Sequence, residues 1–256
     1  MRATPDRLAD EVSIYPYAAL DLSSLRSLLI FAPHPDDEVF GCGGLTALAL
    51  DAGAQVRVVV VSDGGKGGDP GVRALESRRA ALVLAGERAP AQLEFWGEPD
   101  RGVRADAPLV ARMRERIEHS RADWVLVPSP SEIHPDHRAV CVAATEAVVQ
   151  LTQLGSACKL AFYEVGQALG ATALVDITPV VERKRRAMNC FASQLIQQRY
   201  DEHVLALNRY RSFTLGAAVT HVEALQFPPV DELAKGLASL VLANARAVVQ
   251  RLGLDA

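Results

Sequence analysis

Cysteine is scarce in this sequence and is never paired. Cys42, Cys141, Cys158 and Cys190 lie far apart and form no C-x-x-C motif, which argues against a disulfide framework and fits a reducing compartment. No apolar run reaches the length needed to span a bilayer. Residues 1–17 are polar and hold no hydrophobic stretch of the kind a signal peptide requires, so the expectation is a cytoplasmic protein. Positive charge is not in excess either. The formal net charge is −4 over 256 residues, which argues against a nucleic-acid binder driven by phosphate contacts. The basic clusters at residues 112–116 and 183–186 sit in helical patterns that also carry Glu, and read as solvated helix faces. Three catalytic or nucleotide-binding signatures are missing as well. Gly41-Cys42-Gly43-Gly44 lacks the G-x-G-x-x-G spacing and follows an acidic triplet that would repel a pyrophosphate. Gly64-Gly65-Lys66-Gly67-Gly68 has no GK[ST] opening a helix, and no G-x-S-x-G elbow supports a serine nucleophile.

What is present is ordinary globular usage, with 49% apolar and 23% charged residues, in a length that suits one large domain or a domain with an appendage. Strand and helix patterns alternate. Residues 27–32, 55–62, 92–96, 123–128, 160–165 and 173–177 read as strands, the second through the β-branched run Val58-Val59-Val60-Val61. Residues 40–50, 73–85, 106–120 and 136–151 read as helices between them. Asp106 is placed to cap the third, and Thr178-Pro179 to cap and open a further one. The glycine-rich stretch 63–71 reads as a mobile loop at the mouth of a site, and Gly41 to Gly44 as residues that let a helix pack closely on the loop before it. This order predicts an α/β fold, an open Rossmann-like and mostly parallel sheet with helices on both faces. The expected domains are an N-terminal extension (1–26), the main domain (27–225) and a C-terminal segment (226–256). That last segment carries an amphipathic helix over 231–252, packed on the domain or on a second copy of the chain.

Two short segments carry the chemistry. Pro33-His34-Pro35-Asp36-Asp37-Glu38 follows the first strand, and His134-Pro135-Asp136-His137 follows the fourth. With the common doubly wound order 3-2-1-4-5, strands one and four are neighbours at the point where strand order reverses, and the crevice beyond their carboxyl ends is where such sheets bind ligands. Either segment alone reads equally well as a turn or a helix start. Together they supply three N/O ligands with an open fourth position, the pattern of a catalytic metal site, and leave Asp36 and His134 to move protons.

These residues resemble the PIG-L/LmbE-like zinc-dependent N-deacetylases. The likeness extends to Arg73-x-x-Glu76, to Val175-Asp176-Ile177-Thr178, and to Lys184 and Ser193-Gln194, and covers roughly residues 27 to 200. It implies one zinc ion per chain, with His34, Asp37 and His137 as its ligands. It further implies Asp36 as general base, His134 as the histidine that stabilises the oxyanion, Asp136 as the acid that orients His134 and keeps it cationic, and Arg73 and Asp100 as sugar contacts. The implied partner is a small-molecule amino sugar or glycoconjugate, with no nucleic acid, and possible homo-oligomers. The implied reaction is removal of an N-acetyl group from an N-acetylglucosamine-type molecule. An amidase acting on a larger amide, such as a thiol conjugate, and a non-catalytic metal- or sugar-binding protein are the alternatives. The presence of both Asp36 and His134 beside a full ligand set argues against the second of these.

Overall fold

A computed structural model of the protein describes residues 10–233 and 235. Its strands are β1 (Ser27–Ala32), β2 (Gln55–Ser62), β3 (Gln92–Glu98), β4 (Trp124–Pro128), β5 (Lys159–Tyr163), β6 (Ala173–Asp176) and β7 (Val222–Gln226). Its helices are α1 (Glu11–Ile14), α2 (Asp37–Asp51), α3 (Pro70–Ala85), α4 (Ala107–Ser120), α5 (Pro135–Gln153), α6 (Val181–Met188), α7 (Ala192–Leu195), α8 (Tyr200–Tyr210) and α9 (Val230–Leu233). The strands form one sheet in the order β3-β2-β1-β4-β5-β7-β6. The first five are mutually parallel, and β7 runs antiparallel to both β5 and β6. The fold is therefore α/β and mostly parallel, and β1 and β4 are adjacent as the motif argument requires.

Alternation along β1 divides the core. Leu28, Ile30 and Ala32 share one apolar cluster with Val39 and Leu45 of α2, Leu84 of α3 and Ala187 of α6. Leu29 and Phe31 share the other with Met113 and Ile117 of α4 and Val140, Ala144 and Val148 of α5. Strands buried on both faces need apolar residues at nearly every position, which is why β1, β4 and the Val58–Val61 part of β2 read as apolar runs.

Several elements differ locally from the sequence pattern, each for a visible reason. Helix α3 starts at Pro70 because Asp69 accepts the Val72 N–H at 2.8 Å, which shortens the preceding loop. Thr178 does not cap a helix through its side chain. A short 3₁₀ turn over Thr178–Val180 precedes α6, and the Thr178 hydroxyl instead accepts the Thr220 N–H at 2.8 Å. The glycines of α2 pack on the sheet and its flanks, not on the loop before the helix. A Cβ at Gly41 would lie 2.5 Å from the Tyr163 ring, and one at Gly44 would lie 2.4 Å from Ile177 Cγ2. Buried Glu223 of β7 receives the Gly44 and Leu45 N–H groups, each at 2.7 Å, and the ammonium of fully buried Lys184 at 2.7 Å. Strand β7 lies outside the sequence expectation altogether. Residues 10–26 lie against the domain: Leu20 donates to the Leu174 carbonyl at 2.7 Å, and Thr214 to that of Pro16 at 2.7 Å. Of the helix expected over 231–252, only the first residues fall within the described part of the chain, where Val230–Leu233 form α9.

Candidate active site

Both motifs sit at the carboxyl ends of adjacent parallel strands. Beyond β1, Pro33 ends the strand and its carbonyl accepts the Ser62 N–H at 2.9 Å, which ties the turn to β2. Asp36 occupies the residue before α2 but does not cap it with its side chain. Its φ is 137°, a conformation that L-residues rarely adopt. That backbone turns its carboxylate to Arg73, whose Nη2 donates to Asp36 Oδ2 at 2.9 Å, while Glu38 Oε2 accepts the Asp36 N–H at 2.9 Å. Beyond β4, His134 caps α5: its Nδ1 accepts the Asp136 N–H at 3.2 Å, and Pro135 takes the first helical position. The His-Pro-Asp-His order thus works first as a helix start, and projects Asp136 and His137 from the first turn.

The two turns bring three donor atoms into a triangle. His34 Nδ1 lies 3.2 Å from Asp37 Oδ2 and 3.3 Å from His137 Nε2, and His137 Nε2 lies 3.2 Å from Asp37 Oδ2. Two imidazole nitrogens facing one another across a carboxylate oxygen, all buried, form an arrangement that a central cation satisfies. Four-coordinate zinc with bonds of about 2.0–2.1 Å separates its ligands by about 3.3 Å, which matches these edges. The donor set therefore fits a metal ion with three protein ligands. A second, overlapping donor group joins His34 to Asp100, His134 and Asp136. Here the carboxylates meet the far side of the same imidazole: Asp136 Oδ2 is 3.1 Å and Asp100 Oδ1 3.4 Å from His34 Nε2. A carboxylate on the outer nitrogen of a ligating histidine fixes its tautomer and orientation.

Electrostatics follow from this crowding. Burial works against a charge on His34, but hydrogen bonds with Asp100, Asp136 and Asp37 outweigh it and raise the imidazole to about 12. Burial likewise opposes a charge on His137, and Asp37 and Glu132 reverse the balance and bring it to about 9. Asp37 is buried, yet the two imidazoles hold it below the ordinary carboxylate range. Asp36 is raised to about 7, by burial first and then by the adjacent Asp37, against the pull of Arg73 and His34. His134 moves the other way. Burial, followed by His34 and His137, holds it below the usual imidazole value.

Two expectations about roles meet a different geometry. The Asp136 carboxylate does not reach toward His134. It faces His34 and accepts the Arg101 N–H at 2.7 Å and the Val103 N–H at 3.3 Å, and only its backbone N–H meets His134. With Nδ1 accepting that bond, a neutral His134 carries its proton on Nε2. Arg73 is 4% exposed, with its terminal nitrogens committed to the Gly64 carbonyl at 2.8 Å, the Pro35 carbonyl at 2.9 Å and Asp36. It braces the site from within. Asp100 lies on the cavity wall and accepts the Lys66 N–H at 2.9 Å. The glycine loop is at the mouth, as expected, but it is anchored. Gln194 and Gln197 donate to the Gly67 carbonyl at 3.2 and 2.8 Å, and Asp63 accepts the Gly65 N–H at 2.9 Å.

One residue escaped the sequence reading. Glu132 is 2% exposed, and its Oε2 lies 3.4 Å from His137 Nδ1, too poorly aimed for a hydrogen bond. The same carboxylate gathers the N–H groups of Val165, Gly166 and Gln167 at 2.9–3.2 Å. Its position two residues before His134 is the only sequence signal, and a Glu in a loop is too common to stand out. The triangle lies at the base of a cavity of about 400 Å³, within the range of small-molecule sites. Phe40, Ile133, Val165, Tyr200 and Val204 supply its apolar wall, and Lys66, Arg101 and Gln197 part of its polar one.

Residues 29–148 match the family model described as PIG-L: GlcNAc-PI de-N-acetylase. The chain is 29% identical over 197 residues to a diacetylchitobiose deacetylase of Thermococcus kodakarensis, covering 67% of this chain and 71% of that protein. It is 25% identical over 236 residues to a 4-oxalmesaconate hydratase of Pseudomonas putida, covering 81% of this chain and 92% of that one. In fold it resembles the solved structure of an N,N'-diacetylchitobiose deacetylase from Pyrococcus horikoshii. The TM-score is 0.70 at 22% identity, over 81% of this chain and 85% of that one.

Proposed function

Because this chain belongs to the PIG-L/LmbE-like family, we propose that it is a zinc-dependent hydrolase that removes the N-acetyl group from an N-acetylated amino sugar. The observation that carries the reading is the His34–Asp37–His137 donor triangle with the Asp36 carboxylate beside it on the same cavity wall. His34, Asp37 and His137 would hold the zinc, and a mixed N/O set of three suits a catalytic ion with an open position. Bound there, the ion supplies Lewis acidity, which makes a nucleophile of water near neutral pH and polarises the acyl carbonyl.

The chain's own residues supply the proton transfers. Arg73 fixes one oxygen of Asp36, and the other has no hydrogen-bond partner among the described residues, so it is available to take the proton of the attacking water. The same carboxyl group, now protonated, returns that proton to the departing amine. His134 donates through Nε2–H to the acyl oxygen as it takes on negative charge. It does so as a neutral imidazole, since its surroundings disfavour a cation. Asp136 and Asp100 hold His34 in the orientation that presents Nδ1 inward.

The test is acetate release from a panel of N-acetylhexosamine glycosides incubated with zinc-loaded protein. Asp36→Asn should keep its metal and lose activity by a factor of roughly a hundred or more. Turnover of that variant at near wild-type rate would place the base elsewhere. Cleavage of longer-chain amides without acetate release would favour the amidase reading. A second reading has its own support: the match to the hydratase spans more of this chain than the match to the deacetylase. A metal beside a carboxylate base also serves to add water across an activated double bond. Including an unsaturated polycarboxylate in the panel separates the two, because hydration removes its ultraviolet absorbance and liberates no acetate.

A further inference from the structure

The cavity has two cations that the chemistry above does not use. Lys66 and Arg101 are exposed and line its mouth, and neither has a carboxylate within 4.0 Å among the described residues. Nearby arginines are engaged. Arg73 pairs with Asp36, Arg112 with Glu98 at 3.3 Å and Arg116 with Glu94 at 2.8 Å, while Arg138 donates to the Glu132 and Ile133 carbonyls.

Exposed lysines and arginines are usually just solvated, so the argument rests on how these two are mounted. Arg101 holds φ at 62°, left-handed for a residue with a side chain, and its N–H is bonded to Asp136 Oδ2 at 2.7 Å. Lys66 sits in the anchored glycine loop, and its N–H is bonded to Asp100 Oδ2 at 2.9 Å. Asp136 and Asp100 are the two carboxylates that reach His34 Nε2. Each cation therefore hangs by its main chain from a carboxylate that also orients His34, which fixes both backbones relative to the donor triangle. Both bonds are made by main-chain N–H groups, so they leave the charges of the two side chains unpaired at the cavity.

We propose that Lys66 and Arg101 form an anion subsite at the cavity mouth, so that the substrate is an N-acylated amino sugar carrying a phosphate or carboxylate group beyond its acyl-bearing end. This rests on the reading of the cavity as an amino-sugar site. It places anion recognition on two residues that the motifs do not include, and not on Arg73, whose terminal nitrogens the protein itself occupies.

The experiment uses three matched pairs, each an N-acetylhexosamine and its free amine: one phosphorylated, one carrying a carboxylate, and one a neutral methyl glycoside. Calorimetry on the zinc-loaded protein gives the dissociation constants of the amines, and acetate release gives kcat/KM for the acetylated forms. At least one anionic amine should bind about tenfold more tightly than the neutral one, and raising the salt concentration should erode that ratio. Whether the phosphate or the carboxylate arm shows the gain identifies the anion. In Lys66→Gln/Arg101→Asn, with Asn chosen because it tolerates a left-handed backbone, the ratio should fall toward one. Lys66→Glu should push it below the wild-type ratio. Equal binding of anionic and neutral amines by the wild type, or a preference that survives the double substitution, overturns the proposal. The two readings also fail separately. Preferential anion binding without acetate release leaves the subsite standing and defeats the deacetylase reading, whereas acetate release without anion preference does the reverse.

Discussion

At the scale of single residues, the identities in the two motifs were legible and their directions were not. His34, Asp37 and His137 could be picked from the chain because imidazoles and carboxylates three residues apart, after strands, are uncommon by chance. Nothing in His134-Pro135-Asp136-His137 says that the Asp136 side chain will turn to His34, because that depends on the loop after β3 delivering the Arg101 and Val103 N–H groups to it. Arg73 is a similar case, since its partners come from two separate loops. The consequence for His134 can be measured. If it acts as a neutral donor to developing charge, His134→Ala should lower kcat more than it raises KM, by about ten- to a thousandfold. His134→Gln, which keeps an N–H donor, should recover part of the loss. A pure KM effect in both variants would make His134 a group that binds ground-state substrate.

At the scale of elements, strands buried on both faces announced themselves, because a central parallel strand leaves no position for a polar residue. β2 spans Gln55–Ser62, and its valine run from Val58 to Val61 is buried throughout. β7 was not legible. Val222-Glu223-Ala224-Leu225-Gln226 carries a glutamate at its second position and ends in a glutamine, yet every residue of it is buried. The glutamate is tolerated because Lys184 and two N–H groups of α2 surround it, partners that come from about forty and nearly one hundred and eighty residues away. The glycines of α2 make that arrangement possible, and Gly44 is the tightest point. A Cβ there would lie 2.4 Å from Ile177 Cγ2, 2.7 Å from Ile177 Cβ and 3.0 Å from Glu223 Oε1. Ile177 is fully buried and branched at Cβ, so it has little room to yield. Gly44→Ala should therefore destabilise the protein by about 1–3 kcal/mol despite the higher helix propensity of alanine. Thermal or denaturant unfolding would measure this, and an unchanged or raised midpoint would show that Ile177 and Glu223 can move aside.

At the scale of the whole molecule, the site exists because the sheet reverses its winding between β1 and β4. That adjacency places two turns about a hundred residues apart in sequence on either side of one crevice, and it could be read from the order of elements alone. The donors they present come from the turn after β1 and from the first turns of α2 and α5, so a bound metal would join two segments distant in sequence. It must also compete with protons. In the free site, His34 and His137 are raised to about 12 and about 9, so both hold a proton at neutral pH, whereas Asp37 is held low and is already ionised. Ligation requires neutral imidazoles, so binding expels protons, and affinity rises with pH across the range below those two values. Between pH 6 and 8, zinc affinity measured by competition with a chelator should climb steadily. Calorimetry in buffers of different ionisation enthalpy should show more than one proton released per ion at pH 7. Zinc at about a hundred times its dissociation constant should stabilise the fold by about 2.7 kcal/mol. For a domain of this size that corresponds to a rise in Tm of roughly 5–10 °C. Chelation should reverse the rise, and His137→Ala should abolish it. The gap between loaded and stripped protein should narrow as the pH is lowered, because protons then hold the imidazoles against the metal. A gap that stays constant with pH, or that persists in His137→Ala, would mean that the ion binds somewhere other than the triangle between β1 and β4.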